Sequence, residues 1–160
     1  MNPPEDRARI ARHFTSVKAI EDAIGESMGP TDWLTIAQSR IDSFAEASGD
    51  DQWIHVDPER ARRGPFGAAI AHGYLLLSLI PLFTSQLYTA NTGSLRLNYG
   101  LNRVRFPGVA RVEDRIRARA VFEALRPHPL GLLLSTTYTI EAEGSDTPAC
   151  VAEGVSLLVT

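Results

Sequence analysis

Residues 71–87, AHGYLLLSLIPLFTSQL, restrict this chain more than any other segment. Tyr74, Leu75, Leu76, Leu77, Leu79, Ile80, Leu82, Phe83 and Leu87 put apolar groups on almost every side of a helix, and such a helix is expected to be wholly buried. It is too short to span a bilayer, and Pro81 interrupts it. Because proline removes a backbone donor, a kink is expected near Leu77. A buried helix needs a wrapper. The downstream chain supplies strand-like segments at 95–106, 114–125, 132–142 and 150–159, with a shorter one at 33–36. In Arg115-Ile116-Arg117-Ala118-Arg119-Ala120-Val121 arginines alternate with apolar residues, giving one wet and one packed face. Turns are expected at Arg126-Pro127-His128-Pro129 and at 144–148. The fold class expected is α+β, an antiparallel sheet of about five strands packed on a long central helix.

The 160 residues fit one domain with a sizeable core, expected over 15–160 behind an N-terminal extension at 1–14. Ser16 can cap a helix running to about Met28, which Gly29-Pro30 would stop. Residues 38–47 read as an amphipathic helix presenting Ile41, Phe44 and Ala45 to the core. Ala37 offers that helix no side-chain cap, so Thr35 is considered in its place. A net charge of −3 argues against a general nucleic-acid binder, while Arg103, Arg105, Arg111, Arg115, Arg117 and Arg119 form a local basic region suited to a phosphorylated substrate. Cys150 is the sole cysteine, so no internal disulfide forms; a buried small hydrophobe is expected there. No Cys-His cluster has metal-ligand spacing, so no metal is expected. The N-terminus lacks the apolar core of a signal peptide, and a cytoplasmic protein without a membrane span is expected.

Upstream of the apolar helix, Asp50 and His55 lie close together, followed by Asp57-Pro58, a cap-plus-proline start for a short helix to Arg63. Gly64, Pro65 and Gly67 then turn the chain toward His72-Gly73. The acid and the imidazole can thereby fold back against a helix N-terminus. On residue chemistry alone, an aspartate in a Ser-Gly-Asp turn ordinarily caps backbone, and an isolated histidine ordinarily satisfies a neighbouring group.

The run Ser48-Gly49-Asp50, Ile54-His55-Val56-Asp57-Pro58, Phe66-Gly67 and Ile70-Ala71-His72-Gly73 resembles the MaoC-like, (R)-specific enoyl-CoA hydratases. Gln52-Trp53-Ile54-His55, Asn98-Tyr99-Gly100-Leu101-Asn102 and Val104-Arg105-Phe106-Pro107 resemble the nodulation-protein-N-like branch of that family. The resemblance implies a hot-dog fold, in which a strongly curved antiparallel sheet wraps a long helix, usually as a homodimer. It implies that Asp50 and His55 are the catalytic pair of a hydro-lyase adding water reversibly to trans-2-enoyl-CoA, with an acyl-CoA thioester as substrate and no cofactor. The common pattern has Asn-Pro where Gln52-Trp53 stands, and a helix serine of some hydratases falls on Pro81. No catalytic hydroxyl is therefore carried over.

The chemistry explains the pairing. Water must add to the β-carbon while a proton reaches the α-carbon, and an imidazole tuned by a carboxylate suits both transfers. His55 is read as base toward water and Asp50 as its partner and proton carrier. The Gly73 amide, at the start of the central helix, is the candidate donor to the thioester oxygen, with simple helix entry as the plain alternative. His72 either contacts the thioester or satisfies a backbone group, and Asn98, Tyr99 and Asn102 are candidates for the acyl pocket. Arg103 and Arg105 are the first candidates for the CoA phosphates, against a solvated strand face. Asp51 is expected to point away and Asp57 to act as a cap. The competing functions are a hot-dog thioesterase and a non-catalytic acyl-thioester binder. A thioesterase is disfavoured because no acid lies on the central helix.

Overall fold

The computed structural model describes residues 11–160. In chain order the elements are β1 (Arg12–Phe14), α1 (Val17–Asp22), β2 (Ser27–Met28), β3 (Leu34–Thr35), α2 (Gln38–Ser48), α3 (Trp53–Val56), α4 (Pro58–Arg62), α5 (Gly73–Ser78), α6 (Ile80–Leu87), β4 (Tyr88–Ala90), β5 (Leu95–Arg105), β6 (Arg115–His128), β7 (Gly131–Ala142) and β8 (Cys150–Val159). The larger sheet runs β2-β6-β7-β8-β5, with β3 also pairing β6, and all its pairings are antiparallel. β1 and β4 form a separate parallel pair.

The sheet has six strands against the five expected, because β2 occupies what sequence assigned to the end of α1. Ser16 does cap α1, accepting from the Ala19 amide at 3.2 Å, but the helix stops at Asp22. Ile24 then bridges to Phe122 and Met28 pairs with Ala120, so sheet pairing takes over the segment's backbone groups. The boundary expected between residues 14 and 15 also moves. Residues 1–10 lie outside the described residues, but β1 is docked on β4, and Phe14 is buried against Tyr88 and Phe122.

The core lies between the sheet's concave face and the central helix. Leu75, Leu76, Leu79 and Phe83 pack on Ile116, Ala118, Ile140, Cys150 and Ala152, the inward residues of β6, β7 and β8. A second cluster around Phe122, Leu134, Tyr138 and Leu158 fills the far end. The thiol of Cys150 is buried as expected, and burial pushes its pKa up to about 11. This is the hot-dog arrangement.

The central helix breaks into α5 and α6 at Leu79, two residues beyond the expected kink, with Pro81 in the first turn of α6. It is not buried all round. Tyr74 is 68% exposed and Leu82 41%, and with Ser78, Pro81 and Ser85 they line one exposed stripe. The sheet covers only one side of the helix. The residues of β5 are also exposed almost throughout, including Leu95, Leu97, Tyr99 and Leu101, so this edge is apolar as well as unpaired on its outer side.

Candidate active site

Helix α2 delivers the first site residue. Ile41 and Ala45 bury its inner face, and Gly49 closes it in the left-handed region (φ 78°), its amide bonding the Ala45 carbonyl at 2.8 Å. Neither Ala37 nor Thr35 supplies a side-chain cap. Gln38 instead reaches across, its Nε2 donating to the His55 carbonyl at 2.8 Å, which ties α2 to the single turn of α3. Asp50 follows Gly49 and is half-buried, whereas Asp51 is exposed.

The second strand of the site comes from the chain's return. Asp57 caps α4 through the Arg60 amide at 2.9 Å, as expected, and the Ile70 amide bonds the Ile54 carbonyl at 3.0 Å. That return lays residues 70–72 alongside α3. His55 Nδ1 lies 2.7 Å from the Ile70 carbonyl, and a carbonyl can only accept, so Nδ1 carries the proton. Nε2 is then a free base. Burial dominates the ring's titration and holds its pKa below the ordinary imidazole value; the bond to Ile70 and the nearby Asp50 oppose this, and His72 reinforces it.

His72 satisfies a backbone group. It is 1% exposed, its Nε2 donates to the Asp50 backbone carbonyl at 2.8 Å, and its ring stacks on His55 with centroids 3.8 Å apart at 23°. Phe44 packs against the same ring, tilted at 55° with centroids 5.0 Å apart. His72 thus fixes the Asp50 turn and the His55 ring plane together. Its Nδ1 is buried without a hydrogen-bond partner.

Asp50, His55 and His72 each bring a ligand-capable atom within 4.8 Å of the others. Imidazole lone pairs lie in the ring plane, so stacked rings aim them side by side rather than at one point, and His72 Nε2 is already spent on a carbonyl. The cluster suits proton transfer better than metal ligation.

Gly73 opens α5, and its amide is one of the first-turn donors that have no intrahelical acceptor. A Cβ there would sit 2.7 Å from the Phe106 ring, so close packing against the end of β5 also demands glycine.

The residues expected on β5 divide. Asn98 and Tyr99 line a cavity between α5–α6 and β5–β8, and Tyr99 also meets His128 edge-on at 5.5 Å. Arg103 and Arg105 do not reach this face. They stand opposite Glu153 and Val151, whose neighbours Ala152 and Cys150 point into the core, so both arginines lie on the convex face, lining a separate groove with Thr137. Asn102 donates to Glu153 at 2.5 Å and is likewise not part of the pocket. Of the other basic residues, Arg115 and Arg117 pair with Glu143 and Glu141, and Arg111 bonds the Phe66 carbonyl at 2.9 Å. Sequence reading missed Thr84, Arg96, Tyr138 and Ser156, which line the cavity. Ser156 stood out only as a polar residue within an apolar run.

Comparison with known proteins bears on this geometry. Residues 19–139 match the family model described as MaoC like domain. The chain is 48% identical over 145 residues to 3-hydroxyacyl-thioester dehydratase Z of Mycobacterium tuberculosis, covering 90% of this chain and 96% of that protein. It is 38% identical over 150 residues to Nodulation protein N of Rhizobium leguminosarum bv. viciae, covering 91% and 92%. Among solved structures, the (R)-hydratase from A. caviae involved in PHA biosynthesis superposes with a TM-score of 0.69 at 25% identity, over 84% of this chain and 96% of that one.

Proposed function

Because the chain belongs to the MaoC-like dehydratase family, on its nodulation-protein-N-like branch, and is a hydro-lyase, we propose that Asp50 and His55 carry out the reversible addition of water to a trans-2-enoyl thioester. The observation that carries this reading is the unprotonated His55 Nε2, set by the Nδ1 bond to Ile70, on a ring that brings a nitrogen within 4.8 Å of an Asp50 carboxylate oxygen. In the hydration direction the water oxygen bonds to the β-carbon and its proton passes to Nε2. The α-carbon receives a proton relayed through Asp50, so that H and OH are added across the double bond. The Gly73 amide donates to the thioester oxygen, where negative charge develops. Dehydration is the same path reversed.

The substrate in this reading is a CoA thioester, (R)-3-hydroxyacyl or trans-2-enoyl, whose acyl chain enters the cavity lined by Asn98 and Tyr99. MaoC-like hydratases are generally independent of cofactors, and the proton-transfer arrangement here requires none. No helix among the described residues is long and apolar enough to cross a membrane, and the reading places the enzyme in the cytoplasm. A second copy of the chain would cover β5 and the exposed helix stripe, giving a homodimer. Hydrolysis is disfavoured, since neither α5 nor α6 carries a carboxylate.

Incubation with crotonyl-CoA separates the alternatives: the conjugated-thioester absorbance should fall without release of free thiol. Thiol release at the same rate would make the protein a thioesterase, and no change with crotonyl-CoA or a longer enoyl-CoA would leave only a binding role.

A further inference from the structure

The cavity between α5–α6 and strands β5 and β8, about 320 Å³, has an apolar helix wall, but its opposite wall contains hydroxyls that no apolar chain can satisfy. Tyr138 and Tyr88 are buried with their phenol oxygens 2.7 Å apart. Only one of the two phenolic protons can lie between them. Thr136, 1% exposed, has an Oγ1 without a hydrogen-bond partner, so no bond joins it to either phenol. The other phenolic proton is left over. If Tyr138 donated to Tyr88, the spare proton would be buried on a phenol that does not line the cavity. With Tyr88 donating to Tyr138, it belongs to the phenol of the residue that lines the cavity.

The same wall carries further polar groups. Ser156 and Asn98 stand directly opposite each other on β8 and β5, and both line the cavity. Arg96 lines it too, its guanidinium 5.5 Å from the Tyr88 ring centre and without a carboxylate at ion-pair distance among the described residues. A plain alkyl chain would strip water from these groups and return no hydrogen bond, which disfavours it against a chain that does.

We infer that the acyl group this protein takes carries an oxygen acceptor, an oxo, hydroxyl or carboxylate oxygen, distal to the thioester, and that Tyr138 is the residue that selects it. This rests on the hydro-lyase reading above. The test is steady-state kinetics with three trans-2-enoyl-CoAs of equal length, ending in a methyl, a methyl ketone or a carboxylate, on the wild type and on Tyr138→Phe and Arg96→Gln. For the wild type, kcat/KM should favour an oxygenated substrate over the alkyl one by about tenfold, the factor one net hydrogen bond supplies. Tyr138→Phe should bring that ratio to about one, mainly by raising KM for the oxygenated substrate. Loss of the preference in Arg96→Gln for the carboxylate alone assigns the anionic acceptor, and an unchanged ketone preference assigns the neutral one. Equal or better use of the alkyl substrate by the wild type, or an unchanged ratio in Tyr138→Phe, overturns the inference and leaves the hydro-lyase reading standing. No turnover of any of the three overturns both.

Discussion

At His55 opposing influences set one protonation state, and that state decides what the residue can do. Removal of water from the ring outweighs the bond to Ile70 and the attraction of Asp50, so the pKa lies below the ordinary 6.5 and the imidazole is neutral at physiological pH. A base must be unprotonated in the free enzyme, so kcat/KM should fall on the acid side with an apparent pKa below 6.5. Stability should move the same way. The unfolded chain binds this proton more readily than the folded one, so the contribution is fully present above about pH 6.5 and declines as pH falls from there toward the folded-state pKa. Paired pH–rate and urea-unfolding series check both. An acid limb above 6.5, with stability rising on acidification in that window, would contradict the assignment of His55.

Elements with a strong internal period were legible in the sequence. Helix α2 ends within a residue of its expected limit because Ile41 and Ala45 fix its buried face, and β8 has the expected bounds, paired with β7 from Cys150 to Val159. β6 runs on through Pro127 to His128, past the expected turn; on that side its neighbour β2 has already ended, so the missing proline donor leaves no ladder bond unmade. The apolar central helix could not reveal its exposed stripe, since hydrophobicity does not say whether sheet or partner covers a face. The site divided in the same manner. Asp50, His55 and His72 lie on a short return whose turns were visible, whereas the stacking of His55 on His72 depends on the Ile54–Ile70 backbone bond. Along β5, breaks in register between Asn98 and Gly100 and between Leu101 and Arg103 change which residues share a face. Counting along the strand therefore could not place Arg103 and Arg105 on the convex side. Nor could it bring Tyr138 and Ser156, on different strands, to one cavity wall.

For the whole molecule, the exposed edge of β5 and the stripe from Tyr74 to Leu82 together predict association. Light scattering at working concentration should give twice the chain mass of 17.5 kDa, and a fully active, concentration-independent monomer would contradict it. Assembly, cavity and helix entry all serve one short segment, and the central claim concerns what its two side chains do. It is tested most directly by single-turnover hydration of crotonyl-CoA by the wild type, Asp50→Asn, His55→Gln and the double variant, with Asp51→Asn as the neighbouring control. Each single variant, still folded by circular dichroism, should lose about 10²- to 10⁴-fold in rate. Because the two groups act as a unit, the double variant should be little worse than either, and Asp51→Asn should stay near wild type. Near-wild-type rates in Asp50→Asn or His55→Gln would remove the pair from the reaction.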